Sequence, residues 1–443
     1  MDALQQILFA LIAITAIVLF AKRVGQIRRN ILLGRDEDLS DNRGLRWKNM
    51  LLLAFGQKKM FRNPLVAVIH LVIYVGFVII NIEVLEIALD GILGTHRLFS
   101  RLSTPLYLLL IDGFEVLALG VLAACVIFLV RRNMLRLRRF LSHDLDGWPR
   151  SDANYILITE IILMLLFLTM NGADTVLQAR HYGHYGSAMT GDFLVSRALH
   201  PLLSGFSSPA LVGLERTCWW LHIIGIFAFL NYLPFSKHLH IIFAFPNAYY
   251  ARLQPEGKLK NMPAIQQEVL YAVQPELAPP APAAGEEAPV VPKFGAKDVF
   301  DLSWRNLLDS YSCTECGRCS AACPANLTGK LLSPRKIMMS TRDRLEEVGR
   351  NINENGSFKD DGKNLLDYIS VEELRACTTC NACVEECPVS ISPLEIIVEM
   401  RRALVMEDSN VPAEWTGLFS NIENNFAPWK FSPDDRDKWS SEV

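Results

Sequence analysis

Long apolar runs fill the first 235 residues of the chain, and short amphipathic segments fill the remainder. The runs lie near Leu4–Ala21, Pro64–Leu89, Thr104–Val130, Asn154–Gln178 and Pro209–Phe235. Each is close to the roughly 20 residues that a helix needs to cross a bilayer. Five spanning helices are therefore predicted. The first run has no basic stretch ahead of it, and Lys22 and Arg23 follow it. It reads as a retained span rather than a signal peptide.

The gaps between the runs differ in charge. Lys22 to Asn63 holds eleven Lys and Arg, Arg131 to Ala153 holds six, and the other two gaps hold two each. Basic loops stay on the cytoplasmic side. This predicts an N-terminus outside and a cytoplasmic C-terminal half, in a bacterial cytoplasmic (inner) membrane. Arg46–Met60 and Met134–Leu141 mix cations with aromatic and aliphatic residues and are expected to lie along the inner surface. After the fifth span, a segment with six prolines, Val273–Gly295, reads as an extended linker. Three regions follow from this: a membrane unit (1–245), a surface segment with linker (246–295) and a cytoplasmic unit (296–443).

The last region is patterned for short helices. Ser333–Pro334 reads as an N-cap with proline at the first helical position, and Ser370 with Glu373 as a capping box. "SPLEIIVEMRRALVM" opens in the same way on Ser392. The fold class expected is all-α, a five-helix membrane bundle followed by a mostly helical domain.

Of ten cysteines, eight fall in two blocks. Cys313, Cys316, Cys319 and Cys323 have the spacing C-x2-C-x2-C-x3-C-P, and Cys377, Cys380, Cys383 and Cys387 repeat it. This is the bacterial ferredoxin run, in which the fourth cysteine serves the other cluster. The expected ligand sets are Cys313, Cys316, Cys319 and Cys387 for one 4Fe-4S cluster, and Cys377, Cys380, Cys383 and Cys323 for the other. Zinc binds paired CxxC motifs, but it leaves the third cysteine and the trailing proline without a role. Cys125 and Cys218 lie in apolar runs and read as packing residues.

Histidines recur at the predicted spans. His70 lies early in the second and His222 in the middle of the fifth; His238 and His240 follow in "NYLPFSKHLH". Neutral imidazole is the usual axial ligand of b-type haem. His70 and His240 are the candidate pair, and His238 is expected to be exposed and cationic. Glu83, Glu86, Asp112, Glu115, Asp174, Glu215 and Arg216 fall in the outer halves of their spans. Charges within a membrane are costly and mark functional cavities. Asp112 and Glu115 are the candidate proton-exchanging pair of a quinone pocket.

The segment "WWLHIIGIFAFLNYLPFSKHLHIIFAFPN" resembles the last helix of the cytochrome b subunits of respiratory nitrate reductase and membrane-bound heterodisulfide reductases. That resemblance implies haem ligands at His70, His222 and His240. The chain departs from the nitrate reductase pattern at "GFVIINIEVLE", where a further histidine is missing. One haem b is therefore expected, with a second on His222 needing another partner, for which His200 is a candidate. Residues 300–337 are similar to the helical ferredoxin domains of the C-type subunit of heterodisulfide reductase and of the iron–sulfur subunits of succinate and glycerol-3-phosphate dehydrogenases.

The net charge of −3 averages two unlike halves and offers no basic field for nucleic acid. There is no dinucleotide fingerprint, P-loop or HExxH motif. The expected function is respiratory electron transfer between a cytoplasmic partner and membrane menaquinone. That partner is a redox protein with flavin or cysteine-rich catalytic modules. The alternative is a haem-free membrane anchor with an iron–sulfur relay.

Overall fold

The computed structural model describes residues 3–101, 104–135, 137–186, 190–191, 193–255, 257–279, 293–430, 432–435 and 437–441. It is helical throughout, with one isolated β-bridge and no strand among the described residues. Five helices are long and apolar enough to cross a membrane. They are α1 (Ala3–Ile31), α2 (Pro64–Leu93), α3 (Thr104–Asn133), α4 (Trp148–Ala179) and α5 (Ser208–Tyr232). The core of the linker, 280–292, lies outside the described residues.

The five helices close on themselves. α3 packs between α2 and α4, α4 packs on α5, and α1 fills the seam between α5 and α2. The approach of α2 to α3 is tight because each presents a glycine. A Cβ on Gly120 would lie 2.9 Å from Val72, one turn from the opposed pair Gly76 and Val121. Leucine, isoleucine and valine on the outer faces remain exposed, as they do in helices bathed by lipid.

The polar half is built on α6 (His240–Tyr249), α7 (Trp304–Ser312), α8 (Arg318–Ala322), α9 (Pro334–Asn355), α10 (Ala382–Glu386) and α11 (Pro393–Met406). Each predicted cap is present. Ser333 accepts from the Lys336 N–H, Ser392 from Glu395, and Ser370 and Glu373 form a reciprocal box.

The two halves share a core. Ile27 and Ile31 of α1, with Leu233 and Leu239 after α5, pack into the same cluster as Leu307, Ile337, Ile397 and Met400. Gly34 extends this seam: the Arg35 N–H donates to the Leu302 carbonyl (2.7 Å), and the Trp304 N–H returns to the Arg35 carbonyl (3.0 Å). Arg46 is buried and donates to the carbonyl of Ala251 (3.2 Å), while its neighbours Trp47, Leu51 and Phe55 are exposed. This segment thus presents an apolar face outward and a polar one to the end of α6.

Candidate redox centres

The cysteine loops are conformational repeats. Glu315 and Thr379, at matching places, both have positive φ (54° and 56°), as do Gly317 and Asn381 (73° and 60°). The second left-handed residue, Gly317 or Asn381, caps the start of a five-residue helix, α8 or α10, that carries the third cysteine. Cys323 and Cys387 end those helices in extended conformation, followed by proline, and so turn away from their own loops.

That turn brings residues of different blocks together. Cys319 lies within electrostatic reach of Cys313, Cys316 and Cys387, and also of Cys383. Cys383 lies within reach of Cys377, Cys380 and Cys323. Among the described residues, no group is drawn in tightly enough to hold a single ion. Burial pushes the thiols of Cys313, Cys383 and Cys387 up to about 12. Bare thiolates are costly there, so the site fits thiols that lose their protons to water only as iron binds the sulfur. Cys380 is the one exposed member of the eight.

The first loop is tied to the membrane bundle through its left-handed residue. Glu315 accepts from Lys237 Nζ (2.5 Å) and from Arg342 (2.6 Å). Burial by itself would raise the Glu315 carboxyl, but Arg342 and Lys237 hold it below the usual carboxylate range. Lys237 precedes the two histidines of the turn after α5, and its carbonyl accepts from His240 Nδ1 (3.0 Å). Asp152 of α4 secures the same turn, accepting from the Ser236 hydroxyl (2.7 Å), the Lys237 N–H (3.1 Å) and the Tyr232 hydroxyl. A second tie is Arg335, which is 1% exposed and grips Asp144 and the Arg139 carbonyl (2.8 Å).

His70, His238 and His240 converge at this end of the bundle, close to Arg318 of the first loop. His70 Nδ1 meets Gln57 Oε1 (3.0 Å), and His222 Nδ1 donates to the Leu163 carbonyl (3.0 Å). With Nδ1 engaged, each ring has its Nε2 lone pair available, the arrangement of metal-bound imidazoles. His70 and His240, near each other with Nδ1 engaged, could serve as ligands if a haem were bound there. His238 differs from expectation. It is half-buried against the rings of Phe229 and His240, its Nε2 has no partner, and burial lowers it to about 3, so it is neutral. His200 Nε2 meets the Thr175 hydroxyl (2.7 Å), so it is not free to pair with His222.

The outer carboxylates take part in a polar network. Glu115 is fully buried and accepts from Asn171 (3.0 Å) and from the N–H groups of Val195 (2.7 Å) and Ser196 (3.0 Å). Asp112 accepts from the Leu194 N–H (2.9 Å). Both anchor the loop between α4 and α5, and Glu115 spends its oxygens on three donors. Arg97, which no sequence pattern singles out, joins Asp174, Asn171 and Tyr107 in the same outer network.

Residues 312–391 match the 4Fe-4S dicluster domain family. The chain is 25% identical over 470 residues to the probable iron-sulfur-binding oxidoreductase FadF of Bacillus subtilis, covering 99% of this chain and 61% of that protein. It is 26% identical over 415 residues to the EtfAB:quinone oxidoreductase of Syntrophomonas wolfei, covering 88% of this chain and 53% of that one. A third relative is a component of the ferredoxin/F(420)H(2)-dependent CoB-CoM heterodisulfide reductase of Methanosarcina acetivorans. It is 33% identical over 118 residues, which are 26% of this chain and 60% of that protein. The chain thus spans less than two thirds of the length of each. No solved structure matches it. The chain is similar to iron–sulfur oxidoreductases over nearly its whole length, with a dicluster domain behind a helical, membrane-type region.

Proposed function

We propose that the chain carries electrons from a cytoplasmic redox partner to menaquinone in the bacterial inner membrane, with its N-terminus outside and residues 296–443 in the cytoplasm. Cys377, Cys380, Cys383 and Cys323 hold the 4Fe-4S cluster nearest solvent, where the partner docks. Cys313, Cys316, Cys319 and Cys387 hold the second, beside the bundle. His70 and His240 hold haem b, and His222 remains a candidate ligand for another. When bound, these groups supply one-electron carriage. The protein's own part is to fix their order and keep water from them.

The observation that carries this reading is the Lys237 link. Its ammonium grips Glu315, which lies between two cysteines, and its carbonyl orients His240. One residue thereby joins the first cysteine loop to the candidate haem ligand. The relative named EtfAB:quinone oxidoreductase supports EtfAB as donor and quinone as acceptor. The test uses the full chain in nanodiscs with menaquinone and reduced EtfAB. Quinol formation that is lost in Cys383→Ser is expected. Quinol formation at the normal rate in that variant would overturn the relay.

A further inference from the structure

We infer that quinone binds in a cleft between the bundle and the cysteine-bearing domain, on the cluster side of the membrane. This rests on the proposed quinone chemistry and gives it a location. The cleft has a volume of about 630 Å³ and is walled by both halves. That volume is within the roughly 300–1,000 Å³ typical of small-molecule sites.

Its walls grade from apolar to polar. Trp148 opens α4 and Phe235 follows α5; both line the cleft and are more than half exposed (54% and 60%). Arg23 lies over the Phe235 ring at 4.7 Å. Aromatic and cationic side chains at the ends of spans mark the headgroup level. Deeper in are Asp152, Ser236, Lys237 and Glu315. Lys237 is 9% exposed and donates to both Glu315 and the Pro149 carbonyl (2.6 Å). Glu315 lies within the first cysteine loop, next to Cys316, so a ring resting on this floor touches that loop.

This shape suits an amphiphile with a flat polar head and a long apolar tail. The lining has five carboxylates against four Lys and Arg side chains, which disfavours an anionic lipid headgroup. The outer site expected from Asp112 and Glu115 offers less, because both Glu115 oxygens and one Asp112 oxygen already accept hydrogen bonds from the protein.

The chemistry balances. Reduction of one quinone needs two electrons, and Cys313, Cys316, Cys319 and Cys387 would hold the cluster that supplies them. The quinone takes two protons from cytoplasmic water and leaves as quinol. Asp343 lines the cleft and is itself exposed, so it can exchange protons with water there.

The test is photolabelling of the full chain in nanodiscs with an azido-naphthoquinone bearing an isoprenoid tail, followed by peptide mapping. Label at 148–152, 234–239 or 311–315, competed by menaquinone, is expected. Label confined to the outer loop around Leu194 would overturn the location but leave quinone chemistry standing. The absence of any competed label would overturn both. Competition by anionic phospholipid in place of menaquinone would identify a lipid site and refute the inference. The double variant W148A/F235A should raise KM for a short-chain naphthoquinone about tenfold, with the dithionite-reduced cluster spectrum unchanged. An unchanged KM would count against the cleft.

Discussion

Replacing Asp144 with asparagine should loosen the seam between the membrane bundle and the cysteine-bearing domain. Arg335 is 1% exposed, and Asp144 is its only carboxylate partner among the described residues, at 2.5 Å and 2.9 Å. The amide preserves shape but removes the counter-charge, leaving a buried guanidinium on the Arg139 carbonyl. Breaking a buried pair from one side costs about 3–5 kcal/mol. At about 1.4 kcal/mol per decade, local opening becomes roughly 100- to 3,000-fold more frequent. Hydrogen exchange of the cluster-loaded protein reads this directly at 318–348. D144N and R335M should each accelerate exchange there by at least a hundredfold. D144L/R335M, which removes both charges, should cost much less than the sum of the two. Single variants within tenfold of the parent, or an additive double variant, would refute the reasoning. The pH dependence has a definite sign. Burial raises the Asp144 carboxyl, but Arg335 and two serine hydroxyls bring it below its ordinary value of 3.8. A depressed folded-state value stabilises above the unfolded one, so this contribution is complete from neutral pH to about 5 and is lost below about pH 4.

Other substitutions probe other links. Gly34→Ala places a Cβ 2.7 Å from the Leu302 carbonyl oxygen and the Trp304 nitrogen, so it should detach the β-bridge and lower the melting temperature by several degrees; an unchanged value would contradict the seam. Cys387→Ser should abolish the cluster expected on Cys313, Cys316 and Cys319, taking iron from about eight to about four atoms per chain. EPR should retain the signal of the Cys377 group, and loss of that signal instead would refute the exchanged pairing. Glu115→Gln sets an amide NH2 against donors in either orientation, the Asn171 amide on one side or the Val195 and Ser196 N–H groups on the other, at a cost of about 1–3 kcal/mol. Melting should drop while quinone turnover at low temperature is preserved; lost turnover with normal melting would restore a proton role for this residue.

What is legible in the sequence is local. The spans follow from apolar runs that have only one use in a bilayer. The cysteine spacing fixes which thiols share a turn, and Ser333, Ser370 and Ser392 cap helices with partners three residues away. What stays hidden depends on distant pairs. Arg335 meets Asp144 from 191 positions away, and Lys237 meets Glu315 from 78. Neither pairing leaves a periodic trace. A place at the end of a span suggests an exposed His238, whereas it is half-buried against Phe229 and His240. Acidic residues in spans suggest a cavity, yet at Glu115 the chain uses a carboxylate to cap the N–H groups of a loop. A rule for the cost of buried charge does not say which partner offsets it. The proline-rich linker marks a boundary between two units, while Ile27 and Leu239 share one core with Met400.

The most direct test is an optical and EPR redox titration of the purified full chain in detergent, reconstituted with iron, sulfide and haem. A Soret band that shifts on reduction, lost in His70→Ala, together with two reduced 4Fe-4S signals, is the predicted result. A protein loaded with iron that has no Soret band, or whose cluster absorption does not bleach with dithionite, would contradict the relay.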